Sequence, residues 1–514
     1  MKKTALISLI LFLIFVPLVH LIKFPINDEW IYYQTVQNFL KGDFRLDNYV
    51  NATFYAQGFL AAIFSHIFGI SNIPYLTLAV SVANFFIFFA ILHKKLKLDY
   101  VYSLLLSLLY FFNPLTIYST LGFMTENYFM FFLLLTFYFF ITFEQSKTYK
   151  NLAITFIFAF LALNVRQVAL LVPLAMFAYY IYKGVLDKKD FKANLIYAIT
   201  SGFVFGLFYL YYFAVILTRN NTITDAVQMT PFVNYKFVFS LFYGILILLC
   251  SFLLPLIFSK FFEFKLFSRK TLVLILLTLG IYISLNYFFV PNKLQIAEYP
   301  YFKNIITRTG FYSGGIHGTK FQMAYNFKIY SYEDLLAKFA VALLFAYLIM
   351  RRKNPINFWA VFIVGYIALM GTTIQLYDRY FLVILPALII YLATLNPTPQ
   401  KIEKWLISLF LVFLIILAYQ FSLDFVLTNQ YVWNRSVQLA AEKNLPRKMI
   451  QGTNAWKLSY RNLQRDYIYD FSYDAPEIYN YYPFFTIVQT KQIKFPFSLW
   501  INPKIYLYKD ALKP

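Results

Sequence analysis

The chain has 514 residues, of which 61% are hydrophobic, 22% aromatic and only 13% charged. A soluble protein of this length cannot hide that much apolar surface in one core, so the composition excludes a soluble globular enzyme. A formal net charge of +22 does not mark a nucleic-acid binder here, because the basic residues fall in short clusters between apolar runs. The single cysteine, Cys250, rules out an intrachain disulfide, and His20, His66, His93 and His317 are too scattered for a local metal motif.

The first apolar run, residues 4–22, follows Met-Lys-Lys and lacks a small-residue cleavage site, so it reads as a retained helix that starts in the cytoplasm. Ile26-Asn27-Asp28-Glu29-Trp30 comes next and opens a short amphipathic helix to Leu40, stopped by Gly42. Ile31, Val36, Phe39 and Leu40 share one side, which suits a helix lying along a membrane surface. The bland reading of Asn27, Asp28 and Glu29 is helix capping. Residues 58–68 form an apolar stretch too short to span. Further spans are expected near 73–92, 100–118, 127–143, on either side of Asn164-Val165-Arg166-Gln167, and at 193–217, 237–258, 271–290, 335–350, 358–374, 381–395 and 405–421. That makes about thirteen. With this count nearly every short basic cluster, such as Lys94-Lys95 and Arg351-Arg352-Lys353, falls on one side, as the positive-inside rule requires. The long loops 23–72 and 291–334 then lie outside. Residues 1–421 read as the membrane domain. Residues 422–514 are more polar, carry strand-like segments near 486–494 and 504–509, and read as a small extracytoplasmic α+β or β domain.

This topology gathers the unusual charges on the outer side: Asp28 and Glu29 after the first span, Glu126 opening the fourth, Arg166 between the fifth and sixth, and Asp378 and Arg379 opening the twelfth. A charge near membrane depth is costly and needs a partner or a job. The bland readings are ion pairs, lipid-phosphate contacts and helix-terminal charges. The chemical reading is that arginine grips an anionic lipid phosphate with paired N–H donors, while a carboxylate deprotonates an acceptor hydroxyl as it attacks a sugar.

The Asp-Glu pair after the first span, Phe68-Gly69-Ile70, Thr125-Glu126-Asn127, the Asn164–Gln167 hairpin and Asp378-Arg379-Tyr380 through Pro386 together resemble the membrane-embedded glycosyltransferases of C-type (GT-C) fold. The similarity is to protein O-mannosyltransferases, aminoarabinose transferases and lipopolysaccharide core transferases, and thirteen spans with an outer domain are also similar to oligosaccharyltransferase catalytic subunits. The resemblance implies a multi-pass protein of the plasma (inner) membrane with its active site on the extracytoplasmic face. It implies a polyprenyl- or dolichyl-phosphate sugar as donor and a hydroxyl on a lipid, glycan or protein as acceptor, with inversion at the anomeric carbon. It assigns Asp28 as general base, Glu29 as its neighbour and Glu126 as the second acidic position. Arg166, Arg379 and Asp378 fall to the donor site. Some relatives support a divalent metal at the second acidic position, but Thr125-Glu126-Asn127 is not an Asp-x-Asp motif, and Thr53–Gln57 lacks the Pro-Pro of many aminoarabinose transferases. The competing readings are a flippase or transporter for a lipid-linked sugar, which usually carries internal repeats and a mid-membrane site, and an O-antigen polymerase or ligase, which uses a similar donor.

Overall fold

The structure is a computed structural model. It describes residues 2–47, 50, 52–218, 235–264, 268–288, 305–307, 310–311, 315–318, 329–351, 357–370, 377–397, 399–458, 467–498 and 503–513, without the side chains of 235–241, 307, 329–334 and 457–458. Residues 219–234, between the spans expected at 193–217 and 237–258, most of the loop at 291–334, and Arg352-Lys353 lie outside the described residues.

The chain is mainly helical. Helix α1 (Lys2–Leu21) is followed by two short helices, α2 (Glu29–Leu40) and α3 (Tyr55–Phe68), and then by α4 (Ile73–Ala90), which continues as a π turn to Lys95. Helices α5 (Tyr100–Phe111) and α6 (Pro114–Leu121) form one bent pair. Helices α7 (Thr125–Ser146), α8 (Tyr149–Leu163), α9 (Leu171–Leu186) and α10 (Phe191–Tyr211) complete the first half. The second half holds α11 (Tyr235–Phe252), α12 (Leu254–Ser259), α13 (Arg269–Phe288), α14 (Ile329–Met350), α15 (Phe358–Met370), α16 (Leu385–Leu395) and α17 (Lys401–Glu442). Among the described residues seven helices are long and apolar enough to cross a membrane, or nine if each of two bent pairs is one span.

Two expected spans turn out to be broken. The run near 100–118 bends by 60° at Asn113-Pro114, and the run near 237–258 bends by 82° at Leu253. In the first, Pro114 cannot donate a backbone N–H, and Asn113 caps the new helix by accepting from the Leu115 N–H at 2.9 Å. Helix α2 also differs from its reading. Ile31, Val36 and Phe39 are buried in the protein core, while Leu40 is exposed, so its apolar side faces the bundle. Gly42 ends it with φ +82°, a conformation that suits only a residue without Cβ.

The compositional boundary at residue 422 falls inside α17. No Gly or Pro interrupts this helix, and it runs on to Glu442. It ends where Asn444 adopts φ +47° and the Leu445 N–H reaches back to the Ala440 carbonyl, with Pro446 following. Its first part packs in the large helical core; its last turns place Val432 and Leu439 in a second core under a four-stranded sheet. That sheet has β3 (Ile450–Gln451), β4 (Tyr469–Ser472), β5 (Phe485–Gln492) and β6 (Lys504–Asp510) in the order β3-β4-β6-β5, with only the β3–β4 pair parallel. The two expected strands are therefore β5 and β6. A small antiparallel hairpin, β1 (Ile306–Thr307) and β2 (Gly310–Phe311), packs in the helical core. Phe311 packs edge-on against Tyr118, Phe421 and Phe425.

Candidate functional site

Four of the six charged residues singled out in the sequence meet at the end of the bundle that carries the sheet domain. The turn after α1 supplies Asp28, the first turn of α7 supplies Glu126, and the break between α8 and α9 supplies Arg166. Arg379 lies on a single 3-10 turn, Asp378–Val383, leading into α16. Arg166 Nη2 donates to Glu126 Oε1 at 2.8 Å, and its Nε donates to Thr125 Oγ1 at 2.8 Å. Arg379 Nη2 donates to Asp28 Oδ2 at 3.3 Å, and Arg379 Nε lies 3.5 Å from Glu126 Oε1 without hydrogen-bond geometry. The four formal charges cancel.

The cluster is buried unevenly. Glu126 and Arg379 are 2% and 7% exposed, whereas the Asp28 side chain is 32% exposed. Among the described residues Glu126 Oε2 and Arg379 Nη1 are buried without a hydrogen-bond partner, a situation a native interior avoids unless water or a ligand completes it. Tyr377 and Tyr380 cover the guanidiniums, with Arg166 5.1 Å from the Tyr380 ring centre and Arg379 5.5 Å from that of Tyr377. The sequence reading names Thr125 and Tyr380 only within the resemblance motifs, without a site role, and gives Tyr377 none. The signal was present only as aromatic residues two before and one after Arg379.

Asp28 occupies the N-cap position of α2 but makes no side-chain capping bond. The capping reading therefore moves to its neighbour. Glu29 is 1% exposed and accepts from the Ile26 N–H at 2.7 Å and the Phe123 N–H at 2.8 Å, tying the turn after α1 to the turn before α7. Asp378 plays the same part. Its carboxylate accepts from the Ile305, Ile306 and Arg379 N–H groups at 3.0, 2.8 and 2.7 Å. Neither side chain joins the Asp28–Arg379–Glu126–Arg166 cluster; both fix the backbone that presents it.

Burial pushes both carboxyls up to about 7, outweighing the backbone N–H bonds that favour ionisation. Each folded value lies above the ordinary one of 4.5 for Glu29 and 3.8 for Asp378. Their contribution to stability is thus full below about pH 4 and is lost as pH rises through 7, on the order of 3 kcal/mol per group. Unfolding of the detergent-solubilised chain should become easier from pH 5 to pH 8. Glu29→Gln, which removes one titrating group, should flatten that slope while lowering stability at pH 5. An unchanged slope would show that Glu29 ionises freely in the fold.

A second buried network, absent from the sequence reading, sits at the opposite end of the bundle. Lys260 lies 3.2 Å from Glu263 and 3.5 Å from Glu403, Tyr102 donates to Glu403 at 2.6 Å, and Tyr347, Arg351 and Asn396 all donate to Glu263. Nearby on α7 and α9, Glu144 pairs with Lys147 and Lys183. These contacts hold one set of helix ends together. Along α7, Glu126 stands about 27 Å from Glu144 at helical rise.

A divalent metal does not fit the four-charge site. The Arg379 guanidinium occupies the space between Asp28 and Glu126, and among the described residues no three His, Cys, Asp or Glu side chains converge as ligands. No protein family, curated protein or solved structure matches this chain.

Proposed function

We propose that the chain is a multi-pass membrane glycosyltransferase of GT-C type with about thirteen spans. It transfers a sugar from a polyprenyl- or dolichyl-phosphate donor to an acceptor hydroxyl, with inversion, on the extracytoplasmic face of the plasma membrane. The observation that supports it most is the pair of arginines, Arg379 buried and Arg166 partly so, whose carboxylate partners leave Arg379 Nη1 without a partner among the described residues, next to the part-exposed Asp28. The position suits a lipid phosphate. A hydrocarbon core is about 30 Å thick, and Glu126 stands about 27 Å along α7 from Glu144 at the other end of that helix, a span that suits headgroup depth for the site.

The roles follow from the contacts. Glu126 holds Arg166 at 2.8 Å and keeps it from turning away. Arg379 offers its free Nη1 to a phosphate oxygen. Its 3.3 Å bond to Asp28 is the longest hydrogen bond in the cluster and the one with the most exposed partner. An incoming phosphate competes for Arg379 and releases Asp28. The freed carboxylate takes the proton from the acceptor hydroxyl as the oxygen attacks the anomeric carbon. The bond to the lipid phosphate breaks from the opposite side, and the phosphate leaves as an anion held by the two guanidiniums.

Orientation can be tested separately. On this reading, a cysteine placed at Lys95 should be labelled only from the cytoplasmic side and one at Asp43 or Lys509 only from outside; the native Cys250 is buried. Labelling of the Lys95 position from outside would invert the assignment. Donor binding is tested with polyprenyl phosphate alone. It should raise the unfolding temperature of the purified chain, as binding to the folded state must, and fail to do so for Arg379→Lys. Equal stabilisation of both proteins would remove Arg379 from the phosphate site.

A further inference from the structure

The sheet domain reaches the charged site by two routes. The first runs through Asn454, at the start of the short helix α18 (Asn454–Leu458), whose Nδ2 donates to Asn27 Oδ1. Asn27 adopts φ +48°, a left-handed turn that asparagine tolerates, and it immediately precedes Asp28. Its own Nδ2 lies 3.5 Å from Asp28 Oδ2. The second route uses the segment Gly315–Gly318. The His317 N–H donates to the Phe471 carbonyl at 3.0 Å, and the Tyr473 N–H donates back to the His317 carbonyl at 2.9 Å, adding a bridge to the edge of β4. Gln451 Nε2 donates to the Gly315 carbonyl at 2.6 Å, and the His317 ring bonds Asp470 and stacks on Tyr481.

Nine and ten residues before Gly315, the Ile306 and Ile305 N–H groups bond Asp378, the neighbour of Arg379. The seat of Gly315 on the domain is tight. Gly315 has φ +98°, and a Cβ there would meet the backbone of Gly452, Thr453 and Asn454 at 2.5–2.6 Å. Gly315 thus packs on the very residues that carry Asn454 to Asn27. Each route ends on the side chain of the residue that precedes one member of the Asp28–Arg379 pair, Asn27 in the first and Asp378 in the second.

We infer that the C-terminal sheet domain is a positioning element of the site, with Asn454 holding the Asn27–Asp28 turn and the Gly315–Gly318 segment bracing the Asp378–Arg379 turn. Neither Asn454 nor Gly315 touches the charged side chains, so both act through their neighbours. The consequence for chemistry rests on the proposed transferase activity; the consequence for structure does not.

Amide hydrogen exchange of the full detergent-solubilised chain tests the inference without any substrate. Asn454→Ala should speed exchange of residues 24–34 about tenfold, the worth of one lost hydrogen bond, while β4 and β6 keep their protection. Asn27→Gly, which removes the contact from the other side, suits the left-handed backbone there and leaves the domain untouched, should accelerate exchange at residues 24–34 likewise. Asn454→Ala should add nothing further on the Asn27→Gly background. Gly315→Ala should speed exchange across residues 377–384. Unchanged exchange at residues 24–34 in Asn454→Ala, or additive effects in the double variant, would overturn the inference. In a transfer assay, Asn454→Ala should lower kcat about tenfold with donor KM unchanged, and Gly315→Ala should raise donor KM. Loss of the exchange effect defeats the positioning role, whereas absence of transfer by the wild-type chain defeats only the proposed activity.

Discussion

Asp28→Asn should leave a folded chain that still binds polyprenyl phosphate but transfers sugar about 10²–10⁴-fold more slowly. The substitution is close to isosteric and removes only the basic oxygen. Little structure is at stake, because the asparagine oxygen can still accept from Arg379, Glu126 remains beside that guanidinium, and the Asp28 side chain makes no capping bond and is the most exposed carboxylate of the cluster. The two other acidic residues once paired with it are committed elsewhere. Glu29 is enclosed by two backbone N–H groups and the Tyr33 hydroxyl, and Glu126 is held between two guanidiniums. Single-turnover transfer beside an unfolding curve checks the expectation. Normal transfer by Asp28→Asn would move the base to another residue and leave Asp28 as a partner of Arg379.

Arg379→Ala should be costly in a different way. It leaves Glu126 buried with Arg166 alone and strands Asp28, and breaking a buried ion pair from one side costs about 3–5 kcal/mol. The unfolding midpoint should fall accordingly, so loss of donor binding in this variant would not isolate the phosphate role. Arg379→Lys separates the two effects. A lysine retains the charge between Asp28 and Glu126 but cannot present a planar fork. Its stability should lie much nearer wild type, while its affinity for polyprenyl phosphate should drop at least about tenfold, the worth of one charge-assisted hydrogen bond. Titration of the lipid phosphate against both variants and wild type makes the comparison. Full affinity in Arg379→Lys would reduce Arg379 to a structural counter-ion.

The side of the bundle on which the charges gather was legible because apolar run length and basic clusters are strong, local signals. The convergence of Asp28, Glu126, Arg166 and Arg379 was implied by placing them all at one face. Their division of labour was not. Glu29 and Asp378 looked like site residues because they adjoin Asp28 and Arg379, yet their carboxylates turn inward to backbone N–H groups contributed by Phe123, Ile305 and Ile306. Such partners are distant in sequence and leave no pattern. The Lys260–Glu263–Glu403 network went unread for a similar reason: Lys260 looked like one more loop cation, and only the fold reveals that it is 1% exposed. The continuation of α17 past residue 422 was hidden because its apolar run thins to single residues there, and only the fold shows Phe425, Val426, Val432 and Leu439 buried along it.

The most direct measurement is transfer from a defined polyprenyl-phosphate sugar by the purified chain, following lipid phosphate release and the anomeric configuration of the product while the acceptor is varied. The account predicts release of polyprenyl phosphate matched one-for-one by glycosylated acceptor of inverted configuration, lost in Asp28→Asn. A donor that stays intact with every acceptor class, or that crosses a proteoliposome bilayer unchanged, would contradict it and favour a carrier of lipid-linked sugars.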